Sequence, residues 1–514
     1  MLARLNKAWE TAKGSLLCCF LSGAVFSLPF FIEALFPFTF VGLFCFFWLL
    51  KLEVMETRQF KGIFCFFLGF YLCLCSWFLA MYPLSAFGLS PALAWLVIGF
   101  CCVFVPLKMA LQHGVFLWLG KFLPRNPYLR AVGYGCLWVA AEVSLHFGIL
   151  AFPWGTVALS QSGFAPLIQT VSLFGSEWIA FFAVTFCALA VEAVKSKAQR
   201  MALVTSASFI LPVMAGYLLA MLGGAPASTV PAAVIQGNIS TEEKWGENIA
   251  QDVFETYAEM AKEAAEKGAK VILLPETAIP VKFNEHGVVH ETFAQIAKEH
   301  DCTIIMGIFR KSDGKSYNSL VAIDAGGNLS TVYDKRYPVP FGEYMPMGEV
   351  LEQVFPALAG LNPEGTITPG ETPIYIENRG YRIGCYICFD TVFGGWEGAS
   401  CNSDFQVVVT NDGWFGDSAA LAQHLRHAKL RAVESGKSLL RAANTGISAI
   451  VDKDGSLLAH SSPMQKEILY GEMPLYENGT LYGILGDVIP VACILYLAIL
   501  FGYKILKKRN KKEI

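Results

Sequence analysis

The sequence is poor in charged residues. Only 16% of its 514 residues are Asp, Glu, Lys or Arg, whereas 54% are hydrophobic and 13% are aromatic, and soluble domains carry more charge and fewer apolar residues. The net charge of −3 is close to neutral and no basic stripe carries interleaved aromatics, so composition argues against a nucleic acid partner. We therefore expect lipid to cover much of the apolar surface.

Patterns for metal, redox and nucleotide sites are also missing. The glycine pairs at 326–327 and 394–395 lack the spacing of a phosphate-binding loop. Cys385 and Cys388 form a CxxC pair, but a separation of three along a strand points the two side chains to opposite faces. No second CxxC or His pair completes a zinc set. We therefore expect neither a metal nor another cofactor.

Cysteine and histidine usage points the same way. Eleven of the 15 cysteines lie in apolar runs, where Cys behaves as a small hydrophobic residue. The polar part of the chain holds only Cys302, Cys385, Cys388 and Cys401. His424 and His427 lie on a helix-like stretch rich in Lys and Arg, so we expect them to be solvated or to support a site rather than to bind metal.

Long apolar runs indicate membrane-spanning helices. A helix needs about 20 apolar residues to cross a hydrocarbon layer ~30 Å thick. Eight runs approach that length, at residues 14–31, 33–50, 63–82, 90–112, 131–150, 174–194, 201–222 and 488–506. The first has the basic flank of a signal peptide but no convincing cleavage site, and a second run follows at once, so we interpret it as an uncleaved anchor.

The distribution of basic residues predicts the orientation. Lys and Arg occur at both termini and after the second, fourth and sixth spans, whereas residues 83–89 and 151–173 have none. Because positive residues stay on the cytoplasmic side, both termini are predicted to lie inside. The predicted domains are a membrane domain of seven transmembrane helices at 1–222, an outer domain at 223–487, and an eighth helix with a basic tail at 488–514.

The outer segment has a different pattern, in which strand-like and helix-like runs alternate. Such a pattern is typical of an α/β fold. The predicted strands are 231–236, 270–274, 303–308, 317–323, 329–334, 381–387, 405–410 and 447–451. The predicted helices are 247–267, 290–300 and 418–435. Turn signals at 326–328, 378–380 and 452–455 predict hairpins or tight loops between paired strands.

Three polar residues follow apolar strands in this segment. Glu276 follows the run 271–275, Lys335 follows 331–334, and Cys388 follows 383–387. Sites gather at strand ends in α/β sheets. A carboxylate, an ammonium and a thiol there can supply a base, a stabiliser of developing oxyanion charge and a nucleophile.

Four motifs at these positions resemble the nitrilase, or carbon–nitrogen hydrolase, superfamily. They are LLPET (273–277), DKRYPVPFGEY (334–344), CFD (388–390) and NDGWFGDS (411–418). Members of that superfamily use a Glu–Lys–Cys triad on an αββα sandwich. The more specific resemblance, over essentially the whole chain, is to the apolipoprotein N-acyltransferases of the bacterial envelope, which insert such a domain before their last span. QGNI (236–239) and FPWG (152–155) also match.

The resemblance implies the catalytic roles. Glu276 corresponds to the general base, Lys335 to the oxyanion-stabilising lysine and Cys388 to the nucleophile. Glu343 corresponds to the second carboxylate that supports the site, and Asp390 occupies another supporting position. The family commonly has Cys-Tyr-Glu where this chain has Cys388-Phe389-Asp390, so the support of the nucleophile is expected to differ in detail. The family's usual Arg a few positions after Glu142 is also missing.

Aromatic residues near the motifs suggest a lipid substrate. By resemblance, Trp245 and Phe389 line the approach for acyl chains. Phe341 and Trp414 lie in loops that a soluble hydrolase would keep more polar. The segment 345–372 is rich in Pro and Gly and could cover the bilayer side as a lid.

The resulting prediction is a membrane-embedded acyltransferase with a multi-span α-helical domain and a nitrilase-like αββα domain. The resemblance implies that it carries an acyl chain from a phospholipid, through a Cys388 thioester, to a diacylglyceryl apolipoprotein. We expect a monomer in the bacterial inner membrane with its catalytic domain in the periplasm. Two alternatives are a membrane-tethered amidase with the same triad and a transporter whose outer domain binds ligand. The spans hold few central ionisable residues, which disfavours the transporter.

Overall fold

The computed structural model describes residues 11–84, 89–240, 250–345, 366–371, 375–394 and 402–510. The chain divides into two compact units, each defined by the contacts among its own residues. The first contains residues 1–79, 97–223 and 485–514, and the second contains residues 80–96 and 224–484. The division into a membrane domain, an outer domain and a last membrane helix, with boundaries at 222 and 487, remains a prediction.

The first unit is helical. Its helices are α1 (Ala12–Ser27), α2 (Pro37–Leu50), α3 (Gln59–Leu74), α4 (Pro91–Trp118), α5 (Pro127–Ser144), α6 (Val157–Ser160), α7 (Ala165–Ile168), α8 (Val171–Phe174), α9 (Glu177–Ser196), α10 (Gln199–Leu222) and α16 (Val488–Asn510). The beginning of α4 belongs to the second unit by its contacts.

Six helical segments among the described residues are long and apolar enough to cross a membrane. They are Ala12–Phe30, Glu33–Leu50, Gln59–Met81, Pro91–Phe122, Glu177–Ser196 and Gln199–Leu222. The other two predicted spans overlap α5 and α16, which are not among these six, so the eight-span topology remains a prediction.

Small residues allow the first helices to approach each other closely. A side chain at Gly23 would lie 1.9 Å from the backbone oxygen of Phe66, and one at Gly69 would lie 2.1 Å from that of Phe20. Glycine therefore permits the contact between α1 and α3, as is common between helices in lipid. Aromatic rings fill the adjoining core, where Phe26 meets Phe70 edge-on at 4.8 Å.

The second unit is built on two six-stranded sheets. Sheet I has the order β12-β1-β2-β3-β4-β5, and sheet II has the order β11-β10-β9-β8-β7-β6. The strands are β1 (Ser228–Gln236), β2 (Val271–Leu273), β3 (Thr303–Ser312), β4 (Lys315–Ile323), β5 (Tyr333–Asp334), β6 (Tyr375–Asn378), β7 (Tyr381–Ile387), β8 (Phe405–Thr410), β9 (Leu439–Ala443), β10 (Ala449–Val451), β11 (Leu457–His460) and β12 (Glu467–Leu475). The pairs β1–β2, β2–β3, β7–β8 and β8–β9 are parallel.

Helices cover the outer faces of the two sheets. The helices of this unit are α11 (Ala250–Glu266), α12 (Val288–His300), α13 (Asp390–Phe393), α14 (Ala419–Ser435) and α15 (Leu481–Leu485). Alternation along β1 sends Ala233 and Ile235 towards α11 and α12, and Ala232 and Val234 into the core between the sheets. A third apolar cluster joins α14 to sheet II. The predicted αββα sandwich is confirmed.

The structure also shows where the strand prediction was incomplete. β7 and β8 have the predicted bounds, and all three predicted helices lie within three residues of the observed ones. β6, β9, β11 and β12 were not predicted, and the run 329–334 forms only the two-residue strand β5. The predicted turn at 378–380 joins β6 to β7, with positive φ at Arg379 and Gly380.

Candidate active site

Glu276 lies just beyond the end of β2 and is buried. Its Oε2 accepts a hydrogen bond from the backbone N–H of Asn411 at 2.8 Å. The chain reaches this position because residue 307 of β3 is glycine. A Cβ there would lie 2.6 Å from the Glu276 Cα, so any larger residue would displace the carboxylate.

Lys335 follows β5 and is 1% exposed. Its backbone N–H donates to the carbonyl of Asn318 in β4 at 2.8 Å, which places the two residues opposite each other. Its Nζ donates to Glu276 Oε1 at 3.0 Å and to Glu343 Oε1 at 2.9 Å. Burial by itself would lower the pKa of Lys335, but the charges of Glu276 and Glu343 outweigh it and hold that pKa well above its usual value. The lysine therefore stays charged.

Glu343 closes a tight turn beside the lysine. Its Oε2 accepts from the backbone N–H of Val339 at 2.8 Å, so the carboxylate also organises the turn that carries it. Asn318, which the sequence analysis did not identify, donates from Nδ2 to Glu276 at 2.7 Å and to Glu343 at 2.9 Å. The sequence holds no signal for it, because Asn318 is flanked by Tyr317 and Ser319 and only the pairing of β4 with β5 places it opposite Lys335.

Cys388 lies at the sharp end of β7. It adopts the left-handed conformation, with φ of +48°, and its backbone N–H donates to Val409 of β8 at 2.8 Å. The residue is partly exposed. Burial and then the charge of Glu276 raise the pKa of the thiol, whereas Lys335 lowers it. The thiol is therefore protonated at neutral pH and needs a base in order to react.

Cys385 has a different environment. It lies inside β7, is fully buried, and donates from its thiol to the carbonyl of Ile383 at 3.3 Å. Burial raises the pKa of this thiol as well. The two thiols therefore differ in position: Cys388 lies at the end of the strand and is partly exposed, whereas Cys385 lies in the core of the sheet.

Asp390 connects the lysine segment to the nucleophile turn. Its Oδ2 accepts from the Tyr333 hydroxyl at 2.9 Å and from the Ile387 N–H at 3.0 Å. Its Oδ1 accepts from the Tyr337 N–H at 2.9 Å. Tyr333 and Tyr337 flank Lys335, so this one carboxylate holds both segments together. Burial raises its pKa, although Lys335 and the N–H donors oppose that shift.

A second polar network lies behind the nucleophile. Asp412 receives the guanidinium of Arg441 at 2.7 Å and the Nδ1 of His424 at 2.9 Å. The Nε2 of His424 lies 3.1 Å from the carbonyl oxygen of Cys388. Burial would raise the pKa of Asp412, but Arg441 and then His424 hold it well below its usual value. His424 is buried and supports the site, whereas His427 is buried rather than solvated.

The donor atoms of Cys388, Asp412 and His424 lie within 4.8 Å of one another. Along the described ranges they form the one group of such side chains that could hold a metal ion. The guanidinium of Arg441, in contact with Asp412, opposes the entry of a second cation. The structure offers no further reason to place a metal here.

The predicted substrate-binding residues differ in exposure. Phe341 is 43% exposed and has a φ of +64°, so a tight turn presents its ring to the surroundings. Trp414 is half-buried. Phe389 is buried, and its ring meets Phe393 edge-on at 5.1 Å. Trp245 lies outside the described residues, as does most of the predicted lid at 345–372. Substrate contact by this set remains a prediction.

The arrangement is suited to acyl transfer. The charges of Glu276 and Lys335 act on a partly exposed thiol, and the ammonium is held between two carboxylates. Such a set can remove a thiol proton and stabilise the negative charge that develops on an attacked carbonyl oxygen.

Two family models match the chain. The model described as carbon-nitrogen hydrolase matches residues 231–480. The model described as apolipoprotein N-acyltransferase N-terminal domain matches residues 22–189. The first match lies within the second unit.

Curated relatives match over most of their length. Proteins named apolipoprotein N-acyltransferase from Geobacter metallireducens, Pseudomonas putida and Gloeobacter violaceus are 29%, 27% and 29% identical to the chain over 417, 445 and 464 residues. The alignments cover 78%, 83% and 86% of this chain and 79%, 84% and 86% of the respective relatives.

Proposed function

The chain belongs to the apolipoprotein N-acyltransferase family, and on that basis we propose that it moves an acyl chain from a membrane phospholipid to an apolipoprotein through a thioester on Cys388. The acceptor is the N-terminal amine of the diacylglyceryl-cysteine. The observation that carries the proposal is the contact of Lys335 with both Glu276 and Glu343, at 3.0 and 2.9 Å, in a cluster whose charges act on the strand-end thiol.

The first half-reaction forms the thioester. Glu276 takes the proton from Cys388 as its sulfur attacks the ester carbonyl of the phospholipid. An ammonium has three donors, and Glu276 and Glu343 accept two from Lys335, so the third can stabilise the oxyanion. The ester C–O bond then breaks, and the leaving oxygen takes the proton from Glu276. The products are the acyl-enzyme and a lysophospholipid.

The second half-reaction transfers the acyl chain. The neutral α-amine of the acceptor attacks the thioester carbonyl while Glu276 takes the amine proton. The C–S bond breaks and the proton returns to the sulfur of Cys388. An amide is formed and the free thiol is regenerated.

A lipid substrate is supported by Phe341, whose ring is 43% exposed at a turn with a φ of +64°. We propose that the protein works as a monomer in the bacterial inner membrane, with the second unit in the periplasm.

The decisive experiment is to isolate the acyl-enzyme. Purified protein given phospholipid without acceptor should gain the mass of one acyl chain on the peptide that contains Cys388. Neutral hydroxylamine, or a lipopeptide with a free N-terminal amine, should remove it. Steady-state rates should show the parallel lines of ping-pong kinetics. Acylation of the lipopeptide with intersecting lines and no acyl-enzyme would replace the covalent route with direct transfer.

The same experiment tests the amidase alternative. An amidase releases free acid when no amine acceptor is present, whereas a transferase retains the acyl group until the acceptor arrives. Rapid release of fatty acid from the acylated protein, unaffected by lipopeptide, would favour hydrolysis.

A further inference from the structure

Asn318 lies at the centre of the charged cluster. It is 4% exposed, in β4, opposite Lys335 in sheet I. Its Nδ2 donates to Oε1 of Glu276 at 2.7 Å and to Oε1 of Glu343 at 2.9 Å. The ammonium of Lys335 contacts the same two oxygens. Two carboxylates are therefore held between one amide and one ammonium.

The orientation of this amide follows from its neighbours. Ionised carboxylates only accept hydrogen bonds, so an inverted Asn318 would turn its oxygen towards two acceptors. With the observed orientation, Oδ1 is buried and has no hydrogen-bond partner within the described part of the chain. An unpaired buried acceptor is unfavourable for folding. The orientation of the Asn318 amide therefore satisfies the two carboxylates and leaves its own Oδ1 without a hydrogen bond.

The charge around Glu276 explains why a neutral donor is useful there. Lys335 is subject to the charges of Glu276, Glu343 and Asp390, and Cys388 to those of Glu276, Lys335 and Asp412. Arg441 and His424 pair with Asp412, whereas Lys335 is shared between Glu276 and Glu343. Carboxylates that share a site favour the uptake of a proton, whereas hydrogen bonds to the ionised form oppose it. A second lysine in place of Asn318 would also oppose proton uptake by the carboxylates. It would, however, compete with Lys335 for the oxyanion.

We propose that Asn318 is a positioning residue for the catalytic base: its amide holds the ionised Glu276 against Lys335 and so sets the lowest pH at which Glu276 can accept the thiol proton. This inference rests on the proposed function, because it assigns Asn318 to the proton transfer of that mechanism. A base held by more donors stays ionised at lower pH but is also weaker. Removing the amide therefore affects the acid side of the profile more than the plateau.

The test compares full-length protein with Asn318→Leu, which has a similar volume and no donors. The single-turnover rate of acyl-enzyme formation on Cys388 is measured from pH 5.5 to 9 with vesicles of phospholipid. We expect the acid limb to move up by about one pH unit, so that the rate at a pH on the wild-type limb falls about tenfold while the rate at pH 8.5 changes by less than about threefold. An equal reduction at every pH, or no change, would overturn the proposal in favour of a packing role.

Two further variants separate charge from packing. Asn318→Asp keeps the shape and adds a third carboxylate, so its acid limb should also move to higher pH; an unmoved limb in this variant would count against the proposal, even if Asn318→Leu fails to fold. Asn378→Leu is the matched control. This buried asparagine of β6 accepts from Thr303 at 3.1 Å, away from the charged cluster, and its variant should keep the wild-type profile.

A second measurement distinguishes this inference from the proposed function. Iodoacetamide alkylation of the Cys388 peptide also requires removal of the thiol proton but needs no phospholipid. If wild-type protein forms no acyl-enzyme and the alkylation limb still shifts in Asn318→Leu, the proposed function fails and the role of Asn318 stands. If the acyl-enzyme forms and neither limb shifts, the function stands and the role of Asn318 fails.

Discussion

The two sheets contribute differently to the site. Sheet I provides Glu276, Lys335 and Glu343, a set in which two carboxylates share one ammonium. Sheet II provides Cys388, with Asp412 behind it fully paired with Arg441 at 2.7 Å. The first set has one more carboxylate than it has cations, whereas in the second the carboxylate of Asp412 is matched by a guanidinium. Under the proposed mechanism, sheet I supplies the proton transfer and sheet II supplies the nucleophile.

The largest expected effect comes from removing the nucleophile of sheet II. Cys388→Ser should reduce acyl transfer to background, because a carboxylate base does not readily generate an alkoxide. Lipopeptide acylation followed by mass spectrometry is the measurement. The matched control is Cys385→Ser, which lies three residues away in the core of the same strand and should retain transfer. Loss of activity in the control alone would show that the wrong sulfur was chosen.

The next largest effect tests the proton-transfer role of sheet I. Glu276→Gln keeps the shape of the side chain but cannot accept a proton, so acyl-enzyme formation should slow by about 10²- to 10⁴-fold. Glu343→Gln should slow it less, because that carboxylate binds Lys335 and the turn at Val339 and takes no proton in the proposed mechanism. Equal effects of the two substitutions would remove the distinction between base and support.

Lys335→Met tests how the positive charge on sheet I affects the pKa and the reactivity of the Cys388 thiol on sheet II. Loss of the cation should slow both half-reactions by about 10²-fold. Because Lys335 lowers the pKa of Cys388, its removal should raise that pKa further and reduce iodoacetamide alkylation at pH 8 to 9. Alkylation as fast as in wild type would indicate that the two groups do not interact.

The expected effect on stability is concentrated in the paired network of sheet II. Asp412→Asn leaves the buried guanidinium of Arg441 without its counter-charge, which should destabilise the second unit by about 3–5 kcal/mol in thermal unfolding of the detergent-solubilised protein. Since the pKa of Asp412 is lowered in the fold, its contribution is present above about pH 4, the usual value in an unfolded chain, and is lost as the pH falls further.

The smallest expected effect provides the control for that measurement. Arg379 pairs with Asp301 at 2.9 Å on an exposed surface, where ion pairs contribute little. Arg379→Ala should leave the unfolding temperature within error. If Arg379→Ala lowered the unfolding temperature as much as Asp412→Asn, the contribution of an ion pair to stability would not depend on its burial.

The strand prediction succeeded where apolar runs were long and failed where strands lie at sheet edges or have mixed polarity. β8 is buried throughout, β7 is buried over most of its length, and both have the predicted bounds. β11 alternates between exposed and partly buried positions, β12 is fully buried only at Met473 and Pro474, and both strands pair with a neighbouring strand. A local pattern predicts a strand only where burial leaves a continuous apolar signal.

Residues at strand ends were predictable, and residues beside them were not. Glu276, Lys335 and Cys388 each follow an apolar run and match a motif. Asn318 and Arg441 lie inside strands, far from those motifs along the chain, so only their pairing with neighbouring strands brings them to the cluster.

The sequence by itself indicated the class of the molecule, the family and three candidate reacting groups, because composition, apolar runs and short motifs are local properties of the chain. The tertiary structure decided which groups share charge. Hydrogen-bonded register places Asn318 opposite Lys335, and the absence of a side chain at Gly307 allows Glu276 to approach β3. Charge sharing acts over a few ångströms between residues that are distant in sequence, so it exists only after the two sheets have formed and packed.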